Sequence, residues 1–519
     1  MAASSAAPAK DAPNVVVRNK ALLTISVMAA MLMQVLDTTI ANVALPHMQA
    51  ALGATQDSIT WVLTSYILAA AVAIPLTGWL AARYGARNLF IASVVLFVVA
   101  SIFCGIATSL SEMVVFRLLQ GVGGAFLAPL AQTIMLDVNR PSEHAKAMSI
   151  YGMGVMIGPI LGPIIGGWLT ENYNWRWVFF VNIPIGLACL VGLWFLLPRK
   201  PNTPRKFDMV GWGMLAIGLA GLQLMLDRGP HVDWFTSNEI WIEAGIAVTG
   251  LWMFAVHMAT APKPLFPPAM IQDRNLVSGT LLMFVIGVVM MAAMALLPPL
   301  LQNLFGYSVL DTGIILSSRG AGVLLTTALT GRIAGVVDQR LLLGLGFAIM
   351  AGSLGLMTGW SLEMDWRPIV LSGFIQGLGL GLVFVPLTVL SFATLPNEYR
   401  TDAASLLNLS RNLGASVGIA IVTALLARNI QVSHADIAGT VTPYNLPADP
   451  SMVSVLGSGG DTIMSGLDAM VNKQAAMIAY LDDFYFMMFA TLAGLPLLLL
   501  LRKPKRKADE DDLPHMAME

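Results

Sequence analysis

Charge is what this sequence has least of. Asp, Glu, Lys and Arg make up 11% of its 519 residues, where a soluble domain carries about 25%. With 56% of its residues hydrophobic, the chain reads as a polytopic membrane protein and not as a soluble globule. Cysteine is nearly absent. Cys104 and Cys189 both fall in apolar runs, so no disulfide framework is expected. The six histidines (His47, His144, His231, His257, His434 and His515) fall in loops, tails or span ends, with no HExxH pairing. There is no Walker A sequence, and Gly377-Leu378-Gly379-Leu380-Gly381 lies inside an apolar helix and not after a strand. An enzyme, a metal site and nucleotide or nucleic-acid binding are therefore not expected. No small-residue cleavage site follows a short apolar core near the start, so a removed signal peptide is not expected either.

What is present is a series of apolar stretches, each near the roughly 20 residues that cross a bilayer. They cover about 21–45, 59–80, 88–108, 112–136, 145–169, 177–197, 209–226, 240–260, 276–302, 310–332, 341–361, 367–391, 402–427 and 480–501. Arg and Lys gather at alternate connections: Arg83 and Arg87; Arg140 and Lys146; Arg199 to Lys206; Lys263 and Arg274; Arg332 and Arg340; Arg400; and the run from Arg502 to Lys507. By the positive-inside rule both termini are expected in the cytosol, which requires an even number of spans. The fold class is thus all-α, with about fourteen transmembrane helices. The expected organisation is a tail at 1–20, a six-helix bundle at 21–197, and a linker with two extra spans at 198–275. A second six-helix bundle follows at 276–501, with a tail at 502–519. The extra spans carry few polar residues and read as peripheral. Residues 428–479, a stretch containing Gly, Ser and Asp, read as a long outer loop, either disordered or a docking surface for a partner, with an amphipathic segment expected near Met464–Tyr480 at its end. The tail at Ala508–Asp512 reads as solvated.

Two features repeat. The turn from Gly78 through Arg83 and Gly85 to Arg87 has an echo from Gly331 to Arg340, each following the second helix of a bundle. Paired signatures at equivalent positions mark a duplicated transporter. Within the fifth span Gly154, Gly158, Gly162 and Gly166 recur every fourth residue, a ridge that admits a second helix closely. Pro159 and Pro163 in the same span free carbonyls and permit bending.

Asp37 is the one acid expected well inside a span. A carboxylate in hydrocarbon costs roughly 2.5–3.5 kcal/mol on insertion scales, so it marks a proton or ion pathway by default. Gln34, Asp37, Thr38 and Asn42 share a face of the first helix, and a polar stripe on a membrane helix should face a water-filled cavity. An interhelical polar contact is the plainer alternative, above all for Thr38 and Asn42. Arg117, in the fourth span, lies at a matching depth of roughly 9–12 Å from the outer end, and is the candidate partner. In the C-terminal half Arg319 and Arg411 are further mid-span charges, and Asn408, Arg411 and Asn412 share a face. The mid-span charge is thus mostly positive, which favours neutral or anionic lipophilic substrates over permanent cations. Met283, Met290, Met291 and Met294 are either an adaptable apolar wall or ordinary filler.

With these residues in view, the chain resembles the major facilitator superfamily, and within it the fourteen-span drug:proton antiporters of the EmrB/QacA group, most closely EmrB-like permeases. The stretch from Leu36 to Pro46 resembles the group's first-helix signature, and Arg117-Leu118-Leu119-Gln120-Gly121 the fourth-helix motif. Gly158 to Gly167 resembles the antiporter motif of the fifth helix. Trp175-Arg176-Trp177 through Asn182-Ile183-Pro184-Ile185-Gly186 resembles the segment that follows. Ala82 departs from the pattern, since the superfamily's cytosolic motif usually has aspartate there. The resemblance implies a proton-driven multidrug efflux permease of the bacterial inner membrane. Asp37 and Arg117 would couple protons, and Gln34, Thr38, Asn42, Gln120, Arg319, Asn408, Arg411 and Asn412 would line the pathway. Gly78, Arg83, Gly85, Arg87, Gly158, Pro159, Gly162, Pro163 and Gly166 would serve gating. It further implies no cofactor, with the proton motive force as energy source. The implied partners are lipophilic drugs, protons, membrane lipid, a periplasmic adaptor of the membrane-fusion (EmrA-like) type and an outer-membrane (TolC-like) channel. The strongest rival is a proton-coupled importer of a small metabolite. A receptor or structural membrane protein would leave the repeated turns unexplained.

Overall fold

The structure, a computed structural model, describes residues 11–334, 336–440 and 456–502. Fourteen helical segments among them are long and apolar enough to cross a membrane. They are α1 (Lys20–Leu52), α2 (Gln56–Tyr84), α3 (Ala86–Ile106), α4 (Leu110–Asp137), α5 (Pro141–Asn172), α6 (Trp177–Leu196) and α7 (Met209–His231). These are followed by α8 (Asn238–Thr260), α9 (Arg274–Leu304), α10 (Leu310–Ile333), α11 (Gln339–Met357), α12 (Trp366–Phe392), α13 (Asn397–Thr440) and α14 (Ser465–Leu500). An even count places the ends of α1 and α14 nearest the termini on one side of the bundle, called here the terminal face. The other side is the distal face.

Local chemistry sets the helix ends. Asn19 caps α1 by accepting from the Leu22 N–H, and Gly53 closes it with a left-handed φ of 61°. Ser109, Asp208, Asp273 and Asp365 cap α4, α7, α9 and α12 in the same way, each accepting from a first-turn N–H. Between α2 and α3 the chain reverses at Gly85, whose φ of 86° is open to glycine at no steric cost.

Packing repeats between the halves. In the first, α1 lies against α5 and α6, α4 against α2 and α3, and α3 against α6. In the second, α9 lies against α13 and α14, α12 against α10 and α11, and α11 against α14. Shifting every number by eight converts one set into the other, so the sequence echo reflects a duplicated bundle with α7 and α8 inserted. The halves meet chiefly where α5 packs on α10 and α12, and where α13 packs on α2 and α4.

The glycine ridge of α5 explains the closeness of α1. A Cβ added at Gly158 would fall inside Val35, and one at Gly162 inside Thr39; at Gly166 it would press on Ile40. The Thr39 hydroxyl also reaches the Gly158 carbonyl at 3.4 Å. Pro159 and Pro163 are carried within a helix that is unbroken from His144 to Asn172.

Several expectations need correction. The outer connection is not mainly loop: α13 continues to Thr440 and the last helix begins at Leu456. The two extensions are tied by Asn429 to Asp482 at 3.3 Å and His434 to Asp468 at 3.0 Å. That mutual support makes helix out of a stretch whose composition suggested loop. Of the two extra spans only α8 is peripheral. The other, α7, packs on both α2 and α13, with Gln223 accepting from Ser416 at 2.9 Å and Asp227 accepting from the Thr64 hydroxyl. Asp37 is also not the only acid buried in a span, because Asp483 of α14 is fully buried. The start of the N-terminal tail, Gly335 of the echoed turn, the loop centre at 441–455 and the tail from 503 lie outside the described residues.

The α1–α5 contact makes a direct prediction. Gly162→Val should lower stability in detergent by about 1–3 kcal/mol through overpacking. Gly167→Ala, whose added Cβ meets nothing within 4 Å, should leave the melting midpoint unchanged. Equal midpoints for both variants would mean that the ridge does not bear on α1.

Candidate functional site

Asp37 and Arg117 are both fully buried and form an ion pair, with Arg117 Nη1 2.6 Å from Asp37 Oδ2. The other carboxylate oxygen, Oδ1, accepts from Gln120 Nε2 and Asn182 Nδ2, each at 2.8 Å. Four helices therefore converge on one carboxylate through α1, α4 and α6, with α3 behind them. From α3, Ser101 accepts from Asn182 at 3.0 Å and donates to the Phe179 carbonyl at 2.8 Å. Arg117 is independently held. Its Nε donates to the Val62 carbonyl at 3.0 Å, Nη1 also donates to Gln120 Oε1 at 2.8 Å, and the guanidinium lies 4.4 Å from the Tyr66 ring centroid. Its Nη2, the Tyr66 hydroxyl, Asn182 Oδ1 and Gln34 Oε1 are buried without a partner.

The arrangement satisfies both oxygens of an ionised carboxylate. It also leaves Arg117 with two carbonyl acceptors and an aromatic face if Asp37 becomes neutral. A proton arriving at Asp37 would thus not strand a lone buried cation. Breaking a buried pair from one side costs about 3–5 kcal/mol, and these alternative acceptors reduce that cost for a protonation event.

Other candidate residues are placed differently from one another. Gln120, expected along the pathway, is instead fully buried inside the Asp37 cluster, because it bridges the acid and the arginine. Gln34 and Thr38 are half-buried and Asn42 is exposed; the Thr38 hydroxyl bonds back to the Val35 carbonyl. In the second half Asn408 crosses the interface between the bundles and donates to Gln132 Oε1 at 3.0 Å. Arg411 lines a narrow cleft at the same interface with Gln132, Tyr151, Met283 and Phe384. Asn412 is half-buried beside it on the same helix. Arg319 stands on α10 with its Nη2 buried and unpartnered, and both side-chain polar atoms of Gln376 on α12 are also buried and unpartnered. Among the described residues no acid pairs with Arg319 or Arg411. Among the described residues no group of His, Cys, Asp and Glu is arranged to hold a metal.

The terminal face is closed by a set of polar locks. The Asp402 carboxylate, from the start of α13, lies directly on Gly78, where any Cβ would overlap it, and accepts from Arg205 of the linker after α6. This turn, which has no acid at Ala82, thus meets an acid from the opposite half at Gly78. The echoed Gly331 similarly receives Ser149 of α5, so both turn glycines seat the helix that approaches from the other bundle. A second lock centres on Asp137 at the end of α4, which accepts from Arg400 at 3.2 Å, Lys200 at 2.6 Å and Asn14 at 3.0 Å. Asn14 also accepts from Asn397 at 3.1 Å. In the tail the Ser142 hydroxyl and N–H hold the Asp11 carboxyl below its ordinary range. Arg83 and Arg87 do not cross between the halves. Arg83 lies over the Trp79 and Tyr84 rings, and Arg87 donates to the Trp194 carbonyl at 2.6 Å. The linker binds this turn through Asn202 to the Arg83 carbonyl at 3.0 Å and Trp79 to the Arg205 carbonyl at 3.1 Å.

Sequence reasoning missed Asn182, Ser101, Asp402 and Arg205. Asn182 carried a signal, since it opens the Asn-Ile-Pro part of the segment that resembles the family pattern, inside an apolar run. Asp402 and Arg205 carried none, because each reads as an ordinary charge at a span end.

Comparison with known proteins gives a consistent picture. The Major Facilitator Superfamily profile matches residues 27–419. The chain is 36% identical over 483 residues to "Multidrug export protein EmrB" of Escherichia coli (strain K12), covering 91% of this chain and 94% of that protein. It is 35% identical over 489 residues to "Fatty acid resistance protein FarB" of Neisseria gonorrhoeae, covering 93% and 96%. Among solved structures, the human organic anion transporter MFSD10 superposes with a TM-score of 0.58 at 14% identity, covering 91% of this chain and 99% of that one. At that identity the likeness speaks to fold alone.

The ion pair makes a prediction that thermal melts of the purified protein can check. Arg117→Met alone leaves the Asp37 carboxylate buried without its counter-ion and should cost about 3–5 kcal/mol. Adding Asp37→Asn to it should recover most of that loss. Losses that simply add would mean that the two side chains do not act as a pair.

Proposed function

The chain belongs to the major facilitator superfamily, in its EmrB-like group, and on that premise we propose that it is a proton-driven multidrug efflux permease, a drug:proton antiporter of the bacterial inner membrane. The observation that carries this reading is the Asp37 carboxylate, buried in a span, paired to Arg117 and supplied with two further donors. An acid so placed in hydrocarbon is a proton-pathway group by default, and here its partner has other acceptors to turn to. The terminal face corresponds to the cytosol, as the distribution of Arg and Lys implies. The locks at Asp402 and Asp137 then hold the cytosolic side shut in this conformation.

The proposed cycle follows. Asp37 takes a proton from the outer side, Arg117 keeps its bonds to the Val62 carbonyl and Gln120, and the weakened tie between α1, α4 and α6 lets the halves rock. The cytosolic locks part, the proton leaves inward and a drug enters; the drug departs outward as the next proton arrives. The α5 ridge, seated on α1, carries the motion to α10 and α12. One proton moving through 100 mV supplies about 2.3 kcal/mol, which at 1.4 kcal/mol per decade sustains roughly a fifty-fold gradient of a neutral drug. No cofactor takes part, and the chain acts as a transporter and not as an enzyme.

Gln34, Thr38 and Asn42 on one side and Arg319, Arg411 and Asn412 on the other are proposed to line the pathway. Among the described residues Arg319 and Arg411 lack acidic partners, so lipophilic neutral or anionic compounds are the favoured substrates. The names of the fatty acid resistance relative and the multidrug export relatives agree with this choice. Everted vesicles with an imposed proton gradient test both points. A lipophilic weak acid should move against the direction of the protons and faster than a quaternary ammonium compound. Movement with the protons would identify a symporter, and faster transport of the cation would refute the charge preference.

The helical extensions of α13 and α14 beyond the distal face are the proposed contact for a periplasmic adaptor of the membrane-fusion type, which would link the permease to an outer-membrane channel. A variant shortened across residues 435–475 should lose co-purification with the adaptor while retaining its melting midpoint. Unchanged capture would remove these extensions from the assembly.

A further inference from the structure

The last helix carries a second buried acid that the cycle above does not use. Asp483 is fully buried, and neither of its carboxylate oxygens has a hydrogen-bond partner. It is the one acid among the described residues left in that condition. Ten helical residues, about 15 Å, separate it from Ala493, where the α-helix ends before the short 3-10 turn at Pro496–Leu500. In the repeat, α14 corresponds to α6, the helix that brings Asn182 to Asp37.

The surroundings offer an anion nothing. Asp483 lies among fully buried Ala479, Phe484 and Met487, with Phe484 edge-on to Trp360 at 5.3 Å. The elements packed on α14 are α13, α11 and α9. On α13 the nearest cation, Arg428, is exposed, and His434 is engaged with Asp468. Between Arg340 and Glu363 the α11 segment has no charged residue, and α9 has none after Arg274. On α14 itself the neighbouring Asp482 is acidic and exposed and accepts from Asn429 of α13, and buried Tyr480, one turn before, is the other titratable side chain beside it. A carboxylate without counter-ion or donor in such a place is unstable as an anion.

We propose that Asp483 is a second proton-binding site, held as the neutral acid while the terminal face is locked and exchanging its proton with water at the distal face. Its position near the distal end, one residue from exposed Asp482, supplies the route. Its wall is α13, the helix that carries Asp402 and Arg400 at the terminal locks, and in the proposed coupling a shift of α13 as those locks part opens the acid to solvent. The conformation with the locks closed binds this proton; acid on the distal side therefore favours that conformation, and alkali there disfavours it. As an allosteric role this rests on the antiport reading, whereas the site itself does not.

Two measurements decide it. Infrared spectra of the purified full chain near neutral pH should show a carbonyl band of a neutral carboxylic acid that Asp483→Asn removes and Asp483→Glu keeps at a shifted position. In right-side-out vesicles, the dependence of drug efflux on distal pH should lose one inflection in Asp483→Asn and regain it, displaced, in Asp483→Glu. A band untouched by Asp483→Asn, or a pH profile identical to that of the unaltered chain, overturns the proposal. If the unaltered chain shows no proton-driven transport at all, the antiport reading fails, and the infrared band alone still decides whether Asp483 binds a proton.

Discussion

A carboxylate held in hydrocarbon must be given donors, and much of the first bundle is arranged to give them to Asp37. Arg117, Gln120 and Asn182 come from two different helices, and each is fixed by bonds of its own to Val62, Ser101 or another member of the cluster. The close approach of α1 and α5 through Gly158 and Gly162 sets the position of the acid from the other side. These contacts concentrate polar demand at one point, so a change in the charge of that point acts on several helices together. In the proposed cycle this is how one proton moves half of the molecule.

Duplication supplies the other half of the machinery and the differences are informative. Both turn glycines, Gly78 and Gly331, receive a helix from the opposite bundle. Only the first receives an acid, and that acid is bound by Arg205 from the linker. The inserted segment between the halves is thus part of the closed terminal face and not only a tether. Towards the distal side α7 touches both bundles through Asp227 and Gln223. In the C-terminal half Arg319 and Arg411 have no acidic partner among the described residues, so the two bundles are alike in helix packing and differ in the chemistry they present.

Much of this was legible in the sequence and the remainder was hidden for physical reasons. Fourteen apolar runs give fourteen helices among the described residues, since hydrocarbon thickness dictates their length, and matched depth made Arg117 the candidate partner that the structure pairs with Asp37. Helix ends were less legible: α1 runs on to Leu52, about two turns past the expected limit, because Pro46 is tolerated and Gly53 provides the stop. Asp402 and Asp483 both fell at expected span ends, where an acid is normally solvated; only three-dimensional packing shows one pressed on Gly78 and the other sealed among apolar side chains. The distal connection misled through its Gly, Ser and Asp content, since the helical extensions are stabilised by each other and not by their own propensity.

The most direct test of the account is proton-coupled efflux in proteoliposomes for the unaltered chain and for Asp37→Asn, which keeps the shape of the side chain and removes its ability to carry a proton. The account predicts that drug still equilibrates across the membrane in the variant while a proton gradient no longer drives it uphill. Uphill transport retained in Asp37→Asn would contradict it.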